Sequence, residues 1–478
     1  MDGEQSETVR LQPLPDSATN SPALAVPRDD AADDYDPHLH RQLDKPTNDV
    51  ETLVHLLKCS LGTGILAMPQ AFARAGLVTG VLATVLVGVL VTHCLHVLVR
   101  SQYRACKRER VPLLSYPAAA ATALAAGPAP LRRLARPTAL AVDIFLVVYQ
   151  LGICCVYIVF IADNIKKVCD PYYEMNVKIH MLIILGPLIA FNLIPSLKLL
   201  APFSALANVM TFVGLGIIIY FLVSGKKQGL PDPPPPLDLW GSPATFPLFF
   251  GTILFALTAV GVVIALENNM KTPKSFGRPC GVLNVGMTFI VLLYVAVGAL
   301  GYVFCSSQCR DSITLDLPQG PLATSVIVMF AVAIFISYGL HCYVPVEVLW
   351  RGYVRPRLAG AAPARLRLAE YALRVVLCLI TFVLAVAVPQ LGLFISLFGA
   401  LCLSALGICF PALMEACLRF PEKASAARAA VFTKDAVLFI IGVVGLLAGT
   451  YTALLGIVRS FQTPDAAPLV PLNATTAS

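Results

Sequence analysis

With 478 residues, 57% of them apolar and 13% charged, the chain lies far from soluble proteins, in which about a quarter of residues are charged. That balance excludes a soluble globular enzyme. The formal charge of +7 is unevenly spread: residues 1–49 carry eleven acids and four bases, so a tail of −7 precedes a body of +14. A body so rich in apolar side chains fits an all-α polytopic membrane protein, because helices satisfy their own backbone polar groups in lipid.

In chain order, residues 1–45 come first, with Pro13, Pro15, Pro22, Pro27 and Pro37 and the acidic stretch Asp29 to Asp36. They lack apolar periodicity and are expected to form a disordered cytoplasmic tail. The start of the chain has no basic n-region followed by an apolar core, so the first apolar span is expected to serve as its own signal anchor. About eleven transmembrane helices are expected, near 50–73, 77–99, 137–165, 179–197, 202–224, 245–269, 282–304, 321–349, 368–388, 391–418 and 435–458. With the tail inside, the inside connections hold 23 Lys and Arg and the outside ones eight. This bias predicts an inside N-terminus and, with an odd helix count, an outside C-terminus. The sequon at Asn473 in the 459–478 tail agrees, as a glycosylation site on an extracellular or luminal segment. Cys169, Cys305 and Cys309 fall in outside connections, so a disulfide from Cys169 to Cys309 or Cys305 is an open expectation.

Two spans are interrupted. In the first, Gly62-Thr63-Gly64 sits mid-membrane with Pro69 beyond; in the sixth, Thr258-Ala259-Val260-Gly261 does. Glycines alone could serve close helix packing, but breaks at corresponding places in two halves point to an inverted-repeat transporter with a midplane site. The repeats are expected over about 50–224 and 245–418, with an extra helix at 435–458, all within a transporter domain of 46–458. The amides of Gly62, Thr63 and Gly64 suit a carboxylate, and carbonyls near Phe255 to Thr258 suit an ammonium. An amino acid carries both groups. Phe255, Thr258, Tyr149 and Tyr338 are the expected lining, which suits a compact neutral side chain. His55, about 12 Å from Thr63 on the inner side, is expected either to carry the proton or to hydrogen-bond between helices. Lys58 is expected to snorkel, His93 and His96 to lie at the interface, and Asp143, Glu267, Glu347 and Glu415 to form structural pairs. There is no metal-ligand cluster, Walker lysine, nucleophile elbow or dinucleotide loop, so no cofactor, metal, nucleic acid or catalytic residue is expected.

Several segments together resemble the proton-coupled amino acid transporters of the amino acid/auxin permease superfamily, most nearly the insect members. They are His55-Leu56-Leu57-Lys58 with Gly62 to Pro69, Gly261-Val262-Val263 with Leu266-Glu267-Asn268, Ser312 to Pro318, Tyr343-Val344-Pro345-Val346-Glu347, and Lys434-Asp435-Ala436 with Gly449-Thr450-Tyr451. The resemblance implies a LeuT-like 5+5 inverted repeat plus one helix. It implies symport of glycine, alanine or proline with protons, a coupling role for His55, and a plasma, lysosomal or late endosomal membrane. The family usually has Gly where Cys59 stands and commonly a carboxylate where Thr258 stands. The alternatives are uncoupled or sodium-linked transport, or an amino acid sensor whose N-terminal tail engages nutrient-signalling partners.

Overall fold

The computed structural model describes residues 35–462 apart from 42, 44–45, 195–196, 226–235, 258–259, 359, 389 and 424, with backbone alone over 197–201. Thr258 and Asn473 therefore lie outside the described residues.

The described residues among 35–48 run along one end of the bundle, the proximal end. They include a single 3-10 turn, Pro37–His40, capped by Asp36, whose carboxylate accepts from His38 N at 3.0 Å. The predicted first span is three helices. In α1 (Asp49–Ser60), Asn48 accepts from Glu51 N while Glu51 accepts from Asn48 N, a capping box that satisfies two orphan donors and is worth about 1 kcal/mol. The helix stops at Leu61, and Gly62, extended at φ −135°, starts α2 (Thr63–Leu66). α3 (Met68–Ala75), with Pro69 in its first turn, completes the crossing. Gly76 turns the chain at φ +81°, where a Cβ would also lie 2.6 Å from Gly241 N, so only glycine fits.

α4 (Leu77–Glu109) carries the chain back, and α5 (Tyr116–Ala126) and α6 (Ala129–Arg132) form the proximal connection to α7 (Ala135–Cys169). α8 (Val177–Asn192) and α9 (Leu197–Ser224) follow, each containing one proline. The predicted sixth span is α10 (Phe246–Leu257) and α11 (Val260–Asn268), on either side of the undescribed pair 258–259. Then come α12 (Pro273–Phe276), α13 (Val282–Cys305) and α14 (Ile313–Asp316). α15 (Pro321–Leu349) continues through a π-helical turn into α16 (Arg355–Arg357). α17 (Pro363–Ala387) precedes α18 (Leu391–Phe398), which widens into a π-helix over Gly399–Cys409 and ends as α19 (Phe410–Arg419). α20 (Ala426–Gln462) packs outside α18 and its π-helical continuation.

Among the described residues nine helices are long and apolar enough to cross a membrane, and Val177–Asn192 is a shorter apolar one. The outer faces of the bundle are apolar, with Leu86, Val89, Leu182, Val209, Leu292 and Val444 all exposed. In water such surface is costly; in lipid it is the ordinary exterior.

Two expectations change. Cys305 is bonded to Cys309, with Cα atoms 5.0 Å apart, because the 3-10 turn Ser306–Gln308 folds the chain back at the end of α13. Cys169 keeps a free thiol, so the expected bridge from the 169 loop is replaced by a local one. The tail, expected to be disordered through residue 45, is docked from Tyr35 onward. Arg41 forms a two-pronged pair with Glu267, N···O 3.1 and 3.2 Å, and Asp36 pairs with Lys274 at 2.9 Å.

Candidate substrate site at the two helix breaks

The breaks meet. A Cβ built at Gly64 would lie 2.7 Å from Ala256 Cα, so the backbones of α2 and α10 touch with no side chain between them. Glycine here serves close approach. Gly62 and Gly261 do the opposite: a Cβ at either position would meet nothing within 4 Å, so both face open space. Gly261 is exposed although it lies mid-span. Cys59 is also exposed, although it lies deep in the molecule one turn before Gly62. The open faces of Gly62, Cys59 and Gly261 mark free space beside the half-helices, the chamber.

Chain ends inside a bilayer need partners for their free carbonyls, since each unmet group costs several kcal/mol there. Tyr294, fully buried on α13, supplies one donor to both breaks. Its hydroxyl donates to the Ser60 carbonyl and, at 3.0 Å, to the Ala256 carbonyl. Sequence reasoning missed it, because one tyrosine in an apolar helix does not say which way it points. The expectation that carbonyls near Phe255 stand open for an ammonium is narrowed accordingly: Ala256 already has a protein donor.

Of the predicted lining, Phe255 and Tyr149 come together, ring centroids 6.3 Å apart and edge to face. Thr63 is buried in the first turn of α2. Tyr338 is not free to line the chamber. It is wholly buried, and its hydroxyl sits 2.8 Å from Thr381 Oγ1 and 3.2 Å from Cys378 Sγ, which ties α15 to α17. One turn further along α15, His341 keeps some accessible surface, and its Nδ1 lies 2.8 Å from Gln150 Oε1. His55 is half-buried on α1, one turn before Cys59 and therefore on the same face, with no hydrogen-bond partner among the described residues.

The two ends of the chamber are closed differently. At the distal end Asp311, in the connection after α13, accepts from Gln70 Nε2 on α3 and from Gly392 N on α18, the latter at 2.9 Å. Arg74 on α3 donates to Ser396 Oγ at 3.3 Å and faces the Asp311 charge, and Ser396 also meets Thr252 Oγ1 at 2.9 Å. Lys167 on α7 donates to the carbonyls of Thr314, Leu315 and Leu317 at 2.8–3.0 Å. At the proximal end the 35–48 segment lies on the end of α11, where Thr47 exchanges backbone hydrogen bonds with Asn269 and Lys271, both 2.9 Å. His38 stacks on Tyr103 of α4, and burial and the neighbouring Arg41 push it down to about 4.

Four of the ionisable residues expected in pairs or at the interface have partners: Glu415 with Lys434 at 2.5 Å, Glu347 with Arg351 at 2.6 Å, Asp143 with Tyr353 at 3.0 Å, and His96 with Asn284 at 2.8 Å. His93 Nε2, by contrast, is buried without a partner among the described residues. Among the described residues no group of three His, Cys, Asp or Glu side chains is arranged to hold a metal.

Residues 45–455 match the family described as "Transmembrane amino acid transporter protein". The "Proton-coupled amino acid transporter-like protein pathetic" of Drosophila melanogaster is 38% identical over 440 residues, 90% of either chain. "Amino acid transporter AVT3C" of Arabidopsis thaliana is 27% identical over 424 residues, 84% of this chain and 90% of its own. Among solved structures, the nucleobase-cation-symport-1 family transporter Mhp1 in a closed conformation superposes with TM-score 0.51 at 13% identity, over 90% of this chain and 94% of its own. The inward-facing conformation of Mhp1 gives TM-score 0.52 at 12% identity, over 87% and 92%. At such identities the likeness concerns the fold alone, an all-α bundle of membrane-length helices. From the match over 45–455 and the identity to the fly protein, the chain belongs to the proton-coupled amino acid transporter-like family of the amino acid/auxin permease superfamily.

Proposed function

We propose that this chain carries small neutral amino acids of the glycine, alanine and proline class together with protons, by alternating access around the two helix breaks. It is a secondary active transporter rather than an enzyme. The fly relative's name supplies the proton, and the family description supplies the amino acid.

One observation carries the reading of the site: Gly62 and Gly261, at the two breaks, face the same kind of open space while Gly64 and Ala256 hold the half-helices in contact. The amides of the first turn of α2 take the carboxylate, and the carbonyls of the second break not held by Tyr294 take the ammonium. Cys59, Phe255 and Tyr149 leave room for a small side chain, and His55 takes part in moving the proton. The reading of eleven crossings in a 5+5+1 arrangement is supported by the nine long helices, the shorter Val177–Asn192 and the broken Asp49–Ala75 stretch. The N-terminus inside, the C-terminus with Asn473 outside, and a plasma or lysosomal membrane belong to the same reading.

Purified protein in liposomes, screened with each neutral amino acid with and without an inward proton gradient, tests it. Gradient-accelerated uptake of a small neutral amino acid is expected. No uptake of any of them under the gradient overturns it.

A further inference from the structure

The chamber holds a second histidine that neither the sequence reading nor the family description singles out. His341 lies near the middle of α15, deep in the molecule, yet it keeps accessible surface. Two consecutive residues of α7 join it to the breaks: Tyr149 packs on Phe255 of α10, and Gln150 bonds His341. About two turns further on, Tyr157 meets the His341 ring edge to face at 5.4 Å.

The hydrogen bond fixes the chemistry of the ring. A glutamine Oε1 only accepts, so with the amide oriented this way Nδ1 carries the hydrogen. The lone pair is then on Nε2, which has no protein partner among the described residues. A neutral imidazole in this tautomer can take one proton at Nε2 and give it back without breaking the Gln150 bond.

The elements packed on α15 are α7, α8, α9 and α17. α7 presents Gln150, Tyr157 and Cys154. α17 presents Cys378 and, nearer the proximal end, Arg374 paired with Glu370 at 2.9 Å. α8 presents Asn192, which donates to the Arg374 carbonyl, and carries Lys178 and His180 in its first turn; α9 has Tyr220 on the outer face among its described side chains. On α15 itself Tyr343 and Glu347 lie toward the proximal end, with Glu347 held by Arg351. Cys59, Tyr149, Tyr157 and Tyr294, the other titratable groups bordering the chamber, are thiol and phenols that stay protonated in the range where transport operates.

We propose that His341 is the proton-binding residue of the chamber itself, taking the co-transported proton at Nε2 beside the amino acid, with His55 nearer the proximal exit. This rests on the proton-coupled reading above. A proton held here adds one positive charge next to a zwitterion, and its loss to the proximal side ends the cycle.

The test reconstitutes wild-type, His341→Gln and Gln150→Glu protein in liposomes. Three quantities are read for each: uptake under an inward proton gradient, amino-acid-evoked proton entry, and amino acid exchange at equal pH on both sides. For His341→Gln, gradient acceleration and evoked proton entry are expected to fall by about tenfold or more, the size of an ordinary coupling between sites. Exchange is expected to fall far less, which reports a folded protein that still binds. Gln150→Glu puts a carboxylate against Nδ1–H and is expected to move the pH dependence of uptake to higher pH. His341→Gln with exchange and gradient acceleration both intact overturns the proposal, as does an unmoved pH dependence in a transporting Gln150→Glu. Wild-type uptake that ignores the gradient overturns the proton-coupled reading as well, so the two failures are distinguishable.

Discussion

The distal and proximal closures of the chamber use different parts. The distal one is a lock between helices that do not share a break: Asp311 and Arg74 tie α3 to α18 through Gln70, Gly392 and Ser396. The proximal one is a strap, residues 35–48, whose contacts fall on α11, on the 270–275 connection and on Tyr103 of α4. Opening the distal end must break the lock. Opening the proximal end can carry the strap along, since it fastens the break-bearing elements to each other. One device resists separation, and the other makes two half-helices move as one.

The comparison can be broken at several points. Arg41→Ala should have the largest effect. It leaves Glu267, 5% exposed, without its partner, and truncating one side of such a buried pair costs about 3–5 kcal/mol. A drop in melting temperature of detergent-solubilised protein, with faster proteolysis before residue 49, is expected; unchanged stability means the strap is only laid on the surface. Tyr294→Phe removes the one donor serving the Ser60 and Ala256 carbonyls, at about 1–3 kcal/mol for a buried group left unmet. Thermal unfolding should register it, and exchange should slow because both breaks loosen together.

Asp311→Asn weakens the distal lock alone. Labelling of Cys59 by a charged thiol reagent from the distal side should speed up by roughly tenfold, about 1.4 kcal/mol, with Cys59→Ser as control. Labelling that stays slow from that side would mean the lock is not what closes it. The smallest effect concerns pH. His38, ordinarily near 6.5, sits at about 4 in the docked strap, so docking favours the neutral ring. Its contribution is complete above about 6.5 and is lost as pH falls toward 4. Protease sensitivity of the 35–48 segment should therefore rise between pH 7 and pH 5, and His38→Gln should flatten that dependence.

The outline of this molecule was readable because lipid imposes simple rules. Twenty-residue apolar runs, a skewed Lys and Arg distribution and a Gly-Thr-Gly inside a span are one-dimensional signals. They point to the apolar helices and to the first break, where α1 ends at Ser60 and α2 begins at Thr63, but not to how far Leu77–Glu109 and Ala426–Gln462 run past their apolar stretches. Phe255 and Tyr149, aromatic residues on neighbouring spans, meet beside the second break. The residues missed owe their role to direction. Tyr294 is one of several aromatic residues in α13, and only its orientation onto two carbonyls distinguishes it. His341 reads as one more residue of an apolar helix until Gln150 appears opposite it. Tyr338 was misjudged in the opposite sense, since its hydroxyl is committed to Thr381. The strap was missed because Arg41 and Glu267 are 226 positions apart, and local composition around residue 41 is that of an unfolded chain. The thiol pairing failed because loop membership does not measure reach, whereas one 3-10 turn does.

The contact between Gly64 and Ala256 also constrains how the molecule can move. Backbone lies against backbone, with no rotamer available between them to absorb a displacement. A tilt of one half-helix reaches the other undiminished, much as two levers share a fulcrum. Such a joint favours two seated positions over a graded range, so the cargo compartment would change access in steps, and even one added methyl group at position 64 would jam the pivot.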